Sequence, residues 1–185
     1  MSQIIKGFKA INEMNVIHRD LKLANILINF KNIDMDVVLH DPVKFREFKK
    51  TSPLVGYIDV VIADLGFAKQ LEEGQLTHTM CGTPLNMAPE ILKGGYYDHK
   101  VDVWSLGTVF YEMLTGFTPF TGMNKDDLKR NLEKGNYMFP KNIKLSLEGL
   151  DFLNCCLQHD PKERLGWDEL LRHPYLNYDH KQYMV

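Results

Sequence analysis

The strongest signal in this chain of 185 residues is the run His18-Arg19-Asp20-Leu21-Lys22-Leu23-Ala24-Asn25. It places a carboxylate, an ammonium group and an amide within one short loop. Phosphoryl transfer needs a carboxylate that orients the attacking hydroxyl, a cation that offsets charge on the moving group, and a neutral oxygen that holds a metal ion. Asp20, Lys22 and Asn25 match these needs, so the run points to a phosphoryl-transfer site.

Four further motifs follow in order along the chain. They are Asp64-Leu65-Gly66, the pair Cys81-Gly82-Thr83-Pro84 and Ala88-Pro89-Glu90, the run Asp102-Val103-Trp104-Ser105-Leu106-Gly107, and Arg164. Together with the first run they resemble the catalytic domain of eukaryotic protein kinases. The lysine at position 22 is similar to the serine/threonine class of that family. Segments 64–69 and 82–87 look most similar to autophagy-initiating, NIMA-related and IκB-kinase-like kinases.

The resemblance implies a mainly α fold, the large C-terminal lobe of a protein kinase. In that lobe a helical bundle surrounds a buried central helix, with short β-hairpin strands at the catalytic loop. We expect the lobe to cover residues 1–178 and residues 179–185 to form a tail. The 185 residues contain no glycine-rich phosphate loop and no Val-Ala-Ile-Lys strand, so we expect the small N-terminal lobe to be absent from this chain. The large lobe by itself is then expected to be inactive.

Local patterns predict the individual elements. Apolar residues at helical spacing indicate a helix over 2–15, and β-branched residues indicate short strands at 26–28 and 57–63. Residues 101–115 are apolar on successive faces, which predicts a helix buried on all sides. Further helices are expected to begin near Asp126, Ser146 and Asp168, the last one stopped by Pro174.

Residues 30–56 interrupt this pattern with a charged stretch between the two predicted strands. The family usually has only a tight turn at this place. One interpretation is a flexible surface insertion, since loop-closure entropy grows slowly with length. The other is a docking element that folds on the lobe or on a partner.

The resemblance assigns the catalytic chemistry to the first run and to one distant threonine. Asp20 is expected to orient the substrate hydroxyl, and Lys22 to stabilise the transferring phosphate. Thr83 is expected to bridge these two side chains. The substrate implied is a protein with serine or threonine hydroxyls, so the chain would be a transferase.

The cofactors implied by the resemblance are ATP and Mg²⁺. Asn25 and Asp64 would coordinate the magnesium ion, which prefers oxygen ligands. Leu27 corresponds to the apolar residue under the adenine, although a core leucine would look the same in sequence.

Other motif residues are expected to have structural roles. His18 and Leu65 should pack against each other as part of a hydrophobic spine. Glu90 and Arg164 should form a buried ion pair. Asp102, at the start of the central helix, should accept hydrogen bonds from the catalytic-loop backbone.

Regulation is implied by the arginine beside the catalytic aspartate. Arg19 would bind a phosphate on the activation segment, because a guanidinium forms two parallel bonds with such an anion. Thr79 is the expected phosphorylation site and Thr77 the second candidate, with Lys69 as a second basic partner. The alternative for either threonine is an ordinary loop hydroxyl.

Composition sets wider limits. With 22 basic and 24 acidic residues the net charge is −2, which does not favour a nucleic-acid partner. No apolar run in the sequence is long enough to span a bilayer. The three cysteines have no metal-ligand spacing, and we expect a reduced, cytoplasmic protein.

A competing class is a non-catalytic module, a kinase remnant that uses its surface to bind partners. Without the small lobe, apolar surface around Leu27, Ile62 and Leu65 should be exposed. Such patches tend to become contact surfaces. We therefore also expect possible self-association through this face.

Overall fold

A computed structural model describes residues 1–31, 34–50, 58–72 and 74–177. Helix is the commonest secondary structure among the described residues, and the strands are short, which agrees with the prediction of a mainly α fold. The helices described are α1 Ser2–Glu13, α2 Met35–His40, α3 Pro42–Lys50, α4 Pro89–Leu92, α5 Lys100–Thr115, α6 Lys125–Lys134, α7 Leu147–Cys156, α8 Trp167–Leu171 and α9 Pro174–Asn177. The strands described are β1 Val16–Ile17, β2 Ile26–Phe30, β3 Ile58–Ile62 and β4 Lys69–Gln70. The predicted tail over 179–185 lies outside the described residues.

The four strands form two antiparallel pairs that position the site. Strand β2 pairs with β3, with Ile26 opposite Ile62, and β1 pairs with β4, with Val16 opposite Gln70. The catalytic loop, residues 18–25, connects β1 to β2, and segment 63–68 connects β3 to β4. Because β1 pairs with β4 and β2 pairs with β3, the two connections begin and end next to each other. They therefore lie side by side.

Helix α5 is the buried centre of the fold, as predicted. Every residue from Val101 to Tyr111 is buried, including the polar ones. The helix ends at Gly116, whose φ of 78° is the left-handed conformation that glycine adopts at helix ends. Gly107 allows close packing on α7, since a Cβ there would lie 2.8 Å from the Cβ of Cys156.

Two apolar clusters anchor the catalytic loop from opposite sides. The first joins α1, α5, α7 and α8 and includes Phe8, Phe152 and the loop residue Leu21. The second surrounds Trp104 and includes Ile17, immediately before the loop. The loop is therefore held at two points by different parts of the core.

Residues 34–50, part of the stretch interpreted either as a flexible insertion or as a docking element, form α2 and α3. Asp34 caps the first helix by accepting hydrogen bonds from the backbone N–H groups of Asp36 and Val37. The second helix starts with Pro42 after Asp41, a proline position that suits a first helical turn. These short-range start signals were not recognised in the sequence. The remainder of the predicted insertion, at 32–33 and 51–56, lies outside the described residues.

One helix end was also misread. Pro174 was expected only to stop the preceding helix, but it is the first residue of α9. Proline has no N–H to lose at that position. Among the described residues, no helix has the length and apolarity needed to cross a bilayer.

Candidate active site

Asp20, Lys22 and Thr83 form a closed triangle of hydrogen bonds. Asp20 is buried, with 2% of its surface exposed. Its Oδ2 accepts a bond of 2.7 Å from Lys22 Nζ, and its Oδ1 accepts one of 2.7 Å from Thr83 Oγ1. Lys22 Nζ also donates to Thr83 Oγ1 at 3.3 Å. The structure thus brings together three residues that the sequence analysis had grouped by resemblance alone.

These contacts keep Asp20 ionised. Burial acts to raise the pKa of this carboxyl, but hydrogen bonds from Lys22 and Thr83 outweigh burial, and the pKa is lowered. A carboxylate at neutral pH can accept a hydrogen bond from a hydroxyl. It is therefore in the protonation state that orienting a nucleophile requires.

Asn25 and Asp64 lie on the two adjoining connections. Asn25 Nδ2 donates to the backbone oxygen of Asp20 at 2.9 Å and to Asp20 Oδ2 at 3.3 Å. Both bonds use the amide nitrogen of Asn25. Its amide oxygen is the atom that would bind a metal ion. Asp64 is exposed, and its Oδ1 accepts a bond from the N–H of Gly66 at 3.1 Å. The backbone bond from Ala63 N to Asn25 O, at 2.9 Å, joins the two connections next to these side chains.

Asp102 fixes the backbone of the catalytic loop. This aspartate is buried in the first turn of α5 and accepts bonds of 2.8 Å from the N–H groups of His18 and Arg19. Burial raises its pKa to about 6, against the effect of those two bonds. Arg19 has a φ of 68°, which is uncommon and costly outside glycine. Asp102 therefore holds the loop in a conformation that the backbone alone disfavours.

His18 ties the loop to the opposite connection. Its Nδ1 accepts a bond from the N–H of Asp20 at 3.3 Å, and its Nε2 lies 3.2 Å from the carbonyl oxygen of Ala63. A single neutral tautomer, with the proton on Nε2, satisfies both contacts. The ring is fully buried, 5.6 Å from that of Phe8.

Leu65, which was expected to pack with His18 as part of a hydrophobic spine, lies largely at the surface. It is 59% exposed, whereas His18 is completely buried. The turn that follows Asp64, whose φ is 65°, places this leucine at the surface. Leu27 is likewise 52% exposed. Both lie at the outer surface of the site.

Gly82 allows the segment that carries Thr83 to approach the catalytic loop closely. Its φ is 103°, and a Cβ there would lie 2.2 Å from the backbone oxygen of Arg19. No other residue fits so close an approach. The next residue is Thr83, which bonds to Asp20, so the glycine is a requirement of the triangle.

Glu90 and Arg164 form the expected ion pair. Two bonds of 2.6 and 2.7 Å join the carboxylate and the guanidinium. Arg164 also donates to the backbone oxygen of Gln158 at 2.7 Å and lies over the ring of Trp104, 5.1 Å from its centroid. The pair fixes the chain just after the segment that carries Thr83.

The resemblance places the activation segment between the Asp64 motif and Glu90, and three of the expected regulatory residues, Lys69, Thr77 and Thr79, lie on it. Arg19 Nε donates to the backbone oxygen of Phe67 at 2.6 Å. Lys69 Nζ donates to Thr77 Oγ1 at 2.8 Å, and Thr77 is buried, with 2% exposed. Thr79, by contrast, is exposed. The two candidate threonines therefore differ in access.

Sequence reasoning missed Tyr97. Its backbone pairs with that of Thr77, with N–H to O distances of 2.8 and 3.0 Å, and its hydroxyl donates to the backbone oxygen of Thr79 at 2.5 Å. Arg19 Nη1 donates to the same hydroxyl at 3.4 Å. These contacts join residues far apart in the chain, so no local pattern could have indicated them.

A second unexpected cluster brings together Asp151, Cys155 and His173 on α7 and after α8. His173 Nδ1 accepts a bond from the N–H of Tyr175 at 3.2 Å, which places the ring proton on Nε2. That nitrogen faces Asp151 Oδ2 at 3.2 Å. In this arrangement Nε2–H donates to the Asp151 carboxylate, and the hydrogen bond anchors the start of α9.

Comparison with known proteins agrees with this geometry. The family model described as Protein kinase domain matches residues 1–176, and the chain therefore belongs to this family. It is 35% identical over 179 residues to "Serine/threonine-protein kinase ATG1c" of Arabidopsis thaliana, covering 96% of this chain and 21% of that protein. It is 34% identical over 178 residues to "Serine/threonine-protein kinase ULK1" of Homo sapiens, covering 96% of this chain and 15% of that protein.

The same class of relative appears in fungi. "Serine/threonine-protein kinase ATG1" of Eremothecium gossypii is 35% identical over 190 residues, covering 100% of this chain and 19% of that protein. These names confirm the resemblance to serine/threonine kinases and agree with the autophagy-initiating group among the three that were named. The chain spans about a fifth of the length of the relatives from Arabidopsis and Eremothecium.

Proposed function

We propose that the chain is the large lobe of a serine/threonine protein kinase, which transfers the γ-phosphoryl group of ATP to protein hydroxyls. The observation that carries the proposal is the closed triangle of Asp20, Lys22 and Thr83 beside Asn25. It presents an ionised carboxylate and a cation at one point, on a loop that Asp102 holds in a strained conformation. The names of the relatives support the same reaction.

In this proposal Asp20 acts on the incoming hydroxyl. The carboxylate accepts the hydrogen bond from the substrate hydroxyl and takes its proton as the oxygen attacks the γ-phosphorus. The bond between the γ-phosphorus and the β–γ bridging oxygen breaks, and ADP leaves with that electron pair. Lys22 stabilises the negative oxygens of the moving group. Thr83, which binds both side chains, keeps them at a fixed separation.

The donor set fits Mg²⁺. The amide oxygen of Asn25 and the carboxylate of Asp64 are hard oxygen ligands, and Mg²⁺ takes few protein ligands beside the nucleotide phosphates. The ion would neutralise charge on those phosphates. Leu27, exposed next to these residues, would lie under the adenine of ATP.

We further propose that a small lobe covers the apolar surface at the site. Leu27, Val61 and Leu65 are each about half exposed there. The 185 residues contain no glycine-rich loop to hold the ATP phosphates. Since preorganised positioning lowers barriers by roughly 7–11 kcal/mol, we expect negligible activity from these residues alone. Robust phosphorylation of a serine/threonine peptide by purified residues 1–185, abolished by Asp20→Asn, would contradict this.

Thr79 is our proposed activating phosphorylation site. Its exposure supports the assignment, whereas Thr77 is buried and bonded to Lys69. A phosphate on Thr79 would carry about −1.5 to −2 charge near neutral pH and would pair with Arg19 and Lys69. Separate Thr79→Ala and Thr77→Ala variants of the full-length protein, with mass spectrometry of the active form, distinguish the two sites. Full activity in Thr79→Ala would place the switch elsewhere.

The proposed reaction is tested with the full-length protein that carries this domain. Transfer of phosphate from ATP to a serine/threonine peptide should fall about 10²- to 10⁴-fold in Asp20→Asn, the range for a lost general base. Asp126→Asn, which changes an exposed aspartate in α6, is the matched control and should keep activity within about twofold. Equal activity of Asp20→Asn and the wild type would overturn the proposal.

The alternative is a non-catalytic binding module. The exposed apolar surface at Leu27 and Leu65 is the observation that favours it, because such patches become contact surfaces. It predicts that Asp20→Asn leaves partner binding or self-association unchanged while the wild type shows no phosphate transfer. Light scattering and the transfer assay together separate the two functions.

A further inference from the structure

We propose that Tyr97 is a positioning residue whose hydroxyl links Arg19 to the activation segment at Thr79, in place of a phosphate, while the segment is unphosphorylated. The inference rests on the proposed kinase function and deepens it, since it concerns how the same site is aligned before Thr79 is modified. Three observations carry it: the contacts of the hydroxyl with Thr79 and Arg19, the other bond of the Arg19 guanidinium, and the path from Thr79 to Thr83.

The hydroxyl of Tyr97 serves both partners at once. It donates to the backbone oxygen of Thr79 at 2.5 Å and accepts a bond from Arg19 Nη1 at 3.4 Å. The side chain is 3% exposed, so water does not compete for these contacts. Burial raises the pKa of the phenol although Arg19 lowers it, and the hydroxyl therefore keeps the proton that it donates.

The other hydrogen bond that the structure gives for the guanidinium of Arg19 goes to a neutral oxygen, the carbonyl of Phe67, at 2.6 Å. Bonds from a guanidinium to neutral oxygens are weaker than bonds to a phosphate. A phosphate on Thr79 would compete for Arg19 from the very residue whose backbone Tyr97 now holds. The phenol is thus a weak substitute for the proposed phosphate.

The contact at Thr79 bears on catalysis through the four residues that follow. Gly82 approaches the Arg19 backbone so closely that only glycine fits, and Thr83 completes the triangle with Asp20. Fixing Thr79 therefore limits the positions that Thr83, four residues later in the chain, can take. A hydrogen bond from Lys69 to Thr77 also holds the preceding part of the same segment.

The test uses the full-length protein in two states, treated with phosphatase and phosphorylated at Thr79. Tyr97→Phe keeps the ring and removes the hydroxyl alone. In the dephosphorylated protein we expect kcat to fall about three- to tenfold, the effect of one hydrogen bond, with KM for ATP unchanged. In the phosphorylated protein the loss should shrink to less than about twofold, because the phosphate then binds Arg19 more strongly.

The matched control is the neighbouring tyrosine. Tyr96 is 69% exposed and its ring meets only His78 among the ring contacts of the described residues. Tyr96→Phe should leave kcat unchanged in both states. Equal losses for Tyr97→Phe in the two states would overturn the proposal, because a residue that only supports packing does not respond to phosphorylation.

Hydrogen exchange provides a readout that does not need activity. In the dephosphorylated full-length protein, amides 79–83 should exchange about three- to tenfold faster in Tyr97→Phe than in the wild type or in Tyr96→Phe. Unchanged exchange overturns the proposal. If Tyr97→Phe does not fold, Arg19→Gln should produce the same faster exchange at 79–83. If the wild type transfers no phosphate in either state, the proposed function fails, while the exchange data still decide whether Tyr97 holds the segment.

Discussion

The two sides of the site differ in how completely this chain builds them. On the catalytic-loop side, the carboxylate of Asp20 is buried, both of its oxygens are bonded, and Asp102 fixes the backbone below it. On the opposite side, Asp64 and the neighbouring Leu27 and Leu65 are exposed. In the proposed function, the groups that would meet a protein hydroxyl are thus preorganised by this chain itself. Groups that would meet the nucleotide are in place but uncovered, as our proposal of a separate small lobe requires.

The largest expected effect comes from removing Asp102, which supports the catalytic-loop side of the site. Asp102→Ala deletes the acceptor for two buried N–H groups, and we expect the free energy of unfolding to fall by about 3–5 kcal/mol. Urea unfolding of the wild type and the variant measures this. Asp126→Ala, on the exposed face of α6, is the control and should change stability by less than about 0.5 kcal/mol. A similar small effect in both variants would show that the loop does not depend on Asp102.

The same aspartate should make stability depend on pH. Its pKa is raised from 3.8 to about 6, so the folded protein binds this proton more tightly than the unfolded chain does. Stability from this group is therefore greatest below pH 4 and falls as the pH rises to about 6, by at most about 3 kcal/mol. Asp20, whose pKa is lowered, acts oppositely and only as the pH falls below its ordinary value of 3.8.

Unfolding measured between pH 4 and pH 7 checks this second prediction. Asp102→Asn removes the titrating carboxyl and should flatten the profile between pH 4 and pH 6. If the wild type and the asparagine variant have parallel profiles, the carboxylate of Asp102 is stabilised by its two N–H donors as strongly as by water.

A smaller effect is expected from opening the triangle. Thr83→Val keeps the shape but removes a donor to Asp20, and should lower the free energy of unfolding by about 1–2 kcal/mol. The pKa of Asp20 should rise, because a bond that lowers it is lost. NMR titration of the carboxyl and urea unfolding measure the two effects. Thr118→Val, which loses a bond to a neutral carbonyl, should leave the pKa of Asp20 unchanged.

The smallest effect on stability should come from the exposed side of the site, at Leu65. Leu65→Asn is expected to change stability by less than about 0.5 kcal/mol, since this leucine is already exposed. Leu21→Ala, in the fully buried part of the catalytic loop, should cost about 2–5 kcal/mol. Leu65→Asn should also weaken any self-association seen by light scattering. A large loss of stability in Leu65→Asn would remove the contrast between the two sides.

Much of the fold was predictable because its signals are local. The apolar stripe of α1 and the continuous burial of α5 follow from residue spacing, and the pairing of β2 with β3 follows from two β-branched runs. The helices at 34–50 were missed although their aspartate caps are also local. The charged stretch was interpreted either as a flexible insertion or as a docking element, and the two helix start signals within it were not recognised.

The sequence by itself determined which chemical groups the site contains: the order of its motifs identifies Asp20, Lys22, Asn25 and Asp64. Only the tertiary structure decided how those groups meet. The bond between Thr83 and Asp20 spans 63 residues, and that between Tyr97 and Thr79 spans 18. The burial of Thr77 and the exposure of Leu65 were likewise decided by the path of the chain around them. The physical reason is that helix caps and apolar periodicity act over a few residues, whereas contacts between distant segments depend on how the whole chain packs around α5.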